Sequence, residues 1–222
     1  MMRQERIGIF GGTFDPVHRG HLRAAEAVRR RFALDRVLFV PANIPPHKKR
    51  GAAAPARDRV AMVELAMRGR RGLVVSPVEV EAGGTSYSIR TIRRMRAAYP
   101  RARLFFILGA DAFCEIETWK SWRRVLAECV FIVITRPGFR LRDAGNVLAG
   151  PLASVVRPVR TGDNVRESWF DRFRVFLLPV PALDVSSSDV RRRIRNGRSV
   201  RGLIPRAVDV YISERGLYGR RR

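Results

Sequence analysis

Cysteine is scarce in this chain and lysine nearly absent. The two cysteines, Cys114 and Cys129, are too few for a disulfide framework and lack metal-ligand spacing, so they read as reduced thiols of a cytoplasmic protein. No apolar run approaches the roughly 20 residues that a membrane helix needs, which excludes a membrane partner of that kind. The opening Met-Met-Arg-Gln-Glu-Arg is followed by an apolar run too short for a signal peptide. No Gly-x-x-x-x-Gly-Lys-Ser/Thr occurs, so P-loop chemistry has no support.

Acidic residues are also few, 20 against 44 basic, for a net charge of +24. Such a surface ordinarily raises nucleic acid as a partner through counterion release. The cations are nearly all arginine, with lysine only at Lys48, Lys49 and Lys120, and they are scattered through every segment. That fits arginine-biased codon usage as well as a binding surface, and the tail Arg220-Arg221-Arg222 reads as a solvated end. No specific nucleic-acid partner is expected, a basic nucleic-acid-binding module being the distant alternative. The hydrophobic fraction of 46% and the length of 222 residues suit one core. The expectation is a single domain over 1–222, with a core sheet at about 6–180 and a C-terminal segment at about 185–218. Oligomeric state is left open, a homo-oligomer being compatible with the chain.

Apolar patterning alternates between strand and helix. Strands are expected at Arg6–Phe10, Arg36–Val40, within Leu73–Val80, at Arg103–Leu108, Val130–Thr135 and Arg174–Val180. Helices are expected over Leu22–Phe32, Arg57–Arg68, Ser88–Ala98, Ser121–Glu128, from Ser186 through Ile194, and Pro205–Arg215. The stretch 139–168 has no clear pattern beyond a short helix near Asn146. Alternation of this kind implies crossover units, hence an α/β fold: a doubly wound, Rossmann-like parallel sheet with helices on both faces. Ligands of such sheets sit beyond the carboxyl ends of the strands.

Histidine is rare too, with three in all, which makes the pair at 18 and 21 conspicuous. The run Ile7-Gly-Ile-Phe-Gly-Gly-Thr-Phe-Asp-Pro-Val-His-Arg-Gly-His21 goes from a strand through Gly11, Gly12, Thr13 and Phe14 into a helix start. His18 and His21, three apart, share a helix face. A helix start offers unpaired N–H groups and partial positive charge, so dipole, amides and imidazoles together suit a nucleoside triphosphate. Two histidines at this spacing are otherwise metal ligands or plain polar residues. Asp15, before Pro16, reads as a turn residue. Late in the chain, Ser186, Ser187, Ser188 and Arg191 combine hydroxyls, helix-start amides and a guanidinium suited to polyphosphate, although a serine before Asp189 is also an ordinary cap.

The His18-x-Gly-His21 signature resembles the nucleotidyltransferase superfamily, and Gly11–His21 as a whole looks like bacterial nicotinate-nucleotide adenylyltransferase. The further motifs of that family occur here in order: Pro41-x-Asn43-x-Pro-Pro-His47-Lys48, Ser86-Tyr87-Ser88, Gly109-x-Asp111, Thr118-Trp119, Arg136-Pro-Gly138 and Ser186-Ser-Ser-x-x-Arg191. The resemblance implies adenylyl transfer from ATP to nicotinate mononucleotide, with Mg²⁺ carried mainly by the ATP phosphates and no dedicated protein metal site. It implies His18 and His21 as catalytic. Gly11, Gly12, Thr13, Phe14, Gly109, Asp111, Arg136, the three serines and Arg191 would be on the ATP side. It implies Asn43, His47, Lys48, Tyr87, Ser88, Trp119 and Lys120 on the mononucleotide side, Trp119 stacking on the pyridine ring.

Each has a plainer reading beside it: a rigid Pro-Pro turn, a solvated Lys48-Lys49-Arg50 run, a packing tryptophan, a helix-capping Asp111. Ser188 stands where the family more often has threonine, and Lys120 where it often has an aromatic residue. Phosphopantetheine adenylyl or small-phosphate cytidylyl transfer, within the same superfamily, is the nearer alternative.

Overall fold

The computed structural model describes residues 3–46, 51–135, 144–148, 150–180 and 183–219. The strands are β1 (Arg6–Gly12), β2 (Arg36–Pro41), β3 (Leu73–Val75), β4 (Arg103–Gly109), β5 (Val130–Ile134), β6 (Val156–Pro158) and β7 (Val175–Leu178). They form one sheet in the order β3-β2-β1-β4-β5-β7-β6, and every pairing is parallel. This is the doubly wound α/β sheet that the alternation predicts. The order reverses between β1 and β4, which pair directly.

The central strands are buried on both faces, so they read as continuous apolar runs, as in Phe131–Ile134. The period of two then sorts their side chains into two cores. Phe10, Phe105, Ile107 and Ile132 join one; Ile7, Ile9, Leu104, Phe106 and Val133 join the other. Gly8 interrupts β1 because a Cβ there would come within 2.9 Å of both Ile107 Cδ1 and Leu34 Cδ1.

Helices cover both faces. Against the first core lie α1 (Arg19–Arg31), α2 (Ala56–Met67), α8 (Ser187–Arg195) and α9 (Arg206–Glu214); against the second lie α4 (Ser88–Ala98), α5 (Ala110–Cys114) and α6 (Trp122–Glu128). Cys129, in the second core, has its thiol pushed up to about 12 by burial. Among the described residues no helix is long and apolar enough to cross a membrane.

Three local expectations are corrected. Val78–Ala82 is a short helix, α3, because Pro77 ends the extended segment after β3 and Gly83 closes the turn with φ of 67°. The first long helix starts at Arg19, earlier than its apolar periodicity, since its opening turn is held by capping histidines. The segment before β7 carries an edge strand, β6, and a four-residue helix, α7 (Trp169–Arg172), both too short to show periodicity. Residues 144–145 are helical beside Asn146, whereas 139–143 lie outside the described residues.

Candidate active site

A cleft of about 1320 Å³ opens at the carboxyl ends of β1 and β4, where the strand order reverses. Its wall holds most of the residues singled out in the sequence. The end of β1 and the loop after it contribute Gly11, Gly12, Thr13 and Phe14, and the start of α1 contributes His18 and His21. Gly109 and Asp111 come from the end of β4 and the start of α5. Tyr87 and Ser88 are the N-cap and first residue of α4, and Trp119 and Lys120 come from the loop that enters α6. Ser186, Ser187, Ser188 and Arg191 come from the start of α8. His47, Lys48 and Arg136 lie outside the described residues.

His18 is the N-cap of α1, and His21 is its third helical residue. Each imidazole caps the other's main chain: His18 Nδ1 accepts from His21 N at 3.4 Å, and His21 Nδ1 accepts from His18 N at 3.2 Å. This is the capping-box pattern built from two imidazoles instead of a hydroxyl and a carboxylate. Their rings stack at 3.6 Å with 22° between planes. Because both Nδ1 atoms act as acceptors, a neutral ring at either position carries its proton on Nε2. Both residues are buried, at 1% and 7% exposure, yet they line the cleft.

Two glycines owe their identity to rings. A Cβ on Gly12 would fall 2.9 Å from Phe14 Cζ, and one on Gly20 would fall 3.0 Å from His18 Nδ1 and 3.2 Å from Val185 Cγ1. Phe14, with φ of 49°, packs edge-on against Phe10 and His21 and so backs the imidazole pair.

The start of α8 is fastened to the loop before α1. Ser186 caps α8 by accepting from Asp189 N at 3.0 Å, and Ser187 Oγ donates to the Pro16 carbonyl at 2.9 Å. Arg191 donates to the Asp15 carbonyl at 2.6 Å and to Ser188 Oγ at 3.2 Å. The serine triplet therefore both caps α8 and forms part of the cleft wall. The starts of α1 and α8 thus meet in one cleft, adding amide donors and dipole charge.

Elsewhere on the wall, Lys120 Nζ lies 4.8 Å from the centre of the Tyr87 ring, and Trp119 meets Phe106 edge-on at 6.1 Å. Asn43 is placed differently. Its side chain donates to the Gly84 carbonyl at 2.9 Å, and its main-chain N–H donates to Ser86 Oγ at 2.8 Å, so it ties the loop after β2 to the loop before α4. It is not among the described residues of the cleft wall, where its neighbours Ala42 and Pro45 are.

Two buried groups were not legible beforehand. Glu79, in α3, lines the cleft, accepts from Thr91 Oγ1 and is bonded by Ser86. Burial raises its carboxyl above the ordinary glutamate range despite those donors. Its local pattern resembles a strand, which conceals it. Arg59, 1% exposed, donates to the carbonyls of Thr13 at 2.9 Å, Ala42 at 2.5 Å and Asn43 at 3.0 Å. It stitches together the loops after β1 and β2. Burial lowers its guanidinium pKa, opposed by the nearby Asp15 carboxylate.

The sequence profile of the cytidylyltransferase-like family matches residues 9–193. A protein of Desulfatibacillum aliphaticivorans named probable nicotinate-nucleotide adenylyltransferase is 42% identical over 217 residues, 96% of this chain and 99% of that one. A Moorella thermoacetica protein of the same name is 44% identical, over 97% of this chain and 93% of its own. In fold, the chain is similar to the Plasmodium falciparum nicotinic acid mononucleotide adenylyltransferase solved with NaAD, with a TM-score of 0.72, 18% identity and 98% of each chain covered. Full-length coverage at this identity, on a sheet whose switch point carries the imidazole pair, makes the chain a member of the cytidylyltransferase-like family and, within it, of the nicotinate-nucleotide adenylyltransferases.

Proposed function

We propose that this chain transfers the adenylyl group of ATP to nicotinate mononucleotide, yielding deamido-NAD and pyrophosphate. The observation that carries this reading is the reciprocal capping of His18 and His21 in a cleft shared with the start of α8. An oxygen of the mononucleotide 5′-phosphate attacks the α-phosphorus of ATP. The bond from that phosphorus to the α,β-bridging oxygen breaks, and its electron pair leaves with pyrophosphate. The attacking oxygen is already ionised, so no protein nucleophile is required and little base catalysis is needed. The protein's work is alignment and stabilisation of charge on the transferring group.

The imidazole Nε2–H groups are assigned to that charge. Arg191, the hydroxyls of Ser186 and Ser188 and the amides at the starts of α1 and α8, including that of Ser187, hold the triphosphate, and Gly109 and Asp111 border its nucleoside. Trp119 is assigned as the platform for the pyridine ring, with Tyr87, Ser88 and Lys120 around its carboxylate. Among the described residues no group of three or more His, Cys, Asp or Glu side chains is placed to hold a metal. The donor set at the two helix starts suits phosphate oxygens, and Mg²⁺ is assigned to the ATP phosphates. Bound there, the ion would neutralise phosphate charge.

The test incubates the protein with ATP, Mg²⁺ and one acceptor at a time: nicotinate mononucleotide, nicotinamide mononucleotide or phosphopantetheine. Pyrophosphate release and deamido-NAD are measured. Pyrophosphate with phosphopantetheine and none with nicotinate mononucleotide would overturn the reading.

A further inference from the structure

Asp15 does not behave as a turn residue. The carboxylate of an Asx turn bonds its own backbone two residues on, whereas here every partner is remote. Oδ1 accepts from the Tyr218 hydroxyl at 2.7 Å and from Ala54 N at 3.1 Å, and Oδ2 accepts from Ala53 N at 2.7 Å. The Arg191 guanidinium stands 3.8 Å from Oδ2 while donating to the Asp15 carbonyl. The carboxylate is 2% exposed, so these donors replace water around a buried charge. One side chain thereby joins the approach to His18, the start of α8, the chain entering α2, and a tyrosine 203 residues away.

Tyr218 reaches that carboxylate at a backbone cost. Its φ is 62° and ψ 23°, a left-handed conformation that disfavours any residue with a Cβ. The short 3-10 turn Leu217–Gly219 that carries it lies against α8, Gly219 facing the Arg195 stem. Burial, and then the Asp15 charge, raise the phenol pKa, so the hydroxyl stays a donor. Tyr211 offers an internal comparison. It too donates from the C-terminal region to a buried carboxylate, Asp58, at 2.8 Å, but the arginines paired with Asp58 are Arg57 and Arg215, neither of them in the cleft wall, whereas Arg191 is.

We propose that Asp15 and Tyr218 are positioning residues of the triphosphate end of the site, setting Arg191 and the start of α8 against the start of α1. The inference rests on the adenylyl-transfer reading for which end of the cleft takes ATP. Tyr218 touches no reacting atom in this scheme; it acts through Asp15 and Arg191.

The experiment compares Tyr218→Phe, Asp15→Asn and Tyr211→Phe in the full chain. Mg-ATP is titrated by calorimetry, KM is determined for each substrate, and Tm is recorded. Expected for Tyr218→Phe is a rise of about fivefold or more in the Kd and KM of Mg-ATP, with the KM of nicotinate mononucleotide within twofold of wild type. Tyr211→Phe lowers Tm comparably and leaves both KM values within twofold. Asp15→Asn shifts ATP more than Tyr218→Phe does; should it not fold, the Tyr218→Phe comparison alone decides. Equal shifts for both substrates, or a Tm loss in Tyr218→Phe with unchanged ATP affinity, would overturn the proposal. Should wild type bind Mg-ATP yet form no dinucleotide, the functional reading fails while the titration still decides the positioning role.

Discussion

A Cβ placed on Gly20 would lie 3.0 Å from Nδ1 of His18, the atom that caps the first long helix. Catalytic geometry and helix stability therefore compete at one position. Gly20→Ala adds helix propensity of about 1 kcal/mol while pressing the alanine methyl against the imidazole. Expected is an unchanged or raised Tm with turnover down about tenfold, since small displacements of a charge-stabilising group are costly. A variant with full activity would show that the ring does not need its observed place.

Removing the ring itself has a larger effect. If His18 stabilises charge only in the transition state, His18→Ala lowers kcat by about 10² to 10³, or roughly 3–4 kcal/mol of barrier, with substrate KM nearly unchanged. Steady-state kinetics on the folded variant check this. Turnover within a few-fold of wild type would take His18 out of the chemistry and leave it a cap.

Trp119 is partly buried, with its ring edge-on to Phe106. As a stacking platform it is worth about 0.5–1.5 kcal/mol, so Trp119→Ala raises the KM of nicotinate mononucleotide by up to about tenfold and spares that of ATP. Equal changes for both substrates would return Trp119 to the core.

Glu79 links stability to pH. Its carboxyl pKa is raised in the folded chain by burial, so above the ordinary glutamate range the unfolded chain ionises this group while the fold resists doing so. Stability from this residue is complete at low pH and declines as pH rises, until the folded group also ionises. Glu79→Gln removes the decline. The Tm of the variant relative to wild type is therefore expected to increase from pH 4 to pH 7, as followed by circular dichroism. A pH-independent difference would mean that the carboxyl ionises alike in both states.

The sheet was legible because parallel central strands are buried on both faces, and segments such as Val130–Ile134 announce themselves without partners. The imidazole pair was legible for a different reason: strand, glycine pair and helix start are consecutive, so local geometry alone brings His18 and His21 to one face. Glu79 was hidden by a five-residue helix too short for periodicity. Asn43 carries a motif position but holds the loop before α4, a duty visible only when Gly84 stands opposite it.

The order of apolar and polar residues was enough, unaided, to determine the longer alternating elements, the motif-bearing loops and their placement at strand ends. Only the tertiary structure decided that Asp15 is a long-range acceptor, that Arg59 binds three carbonyls of two loops, and that Tyr218 belongs beside Asp15. Periodicity and capping are properties of neighbours in sequence, within one turn or one pleat. A buried carboxylate takes its partners from wherever packing delivers donors, and across 203 residues no local pattern records that choice.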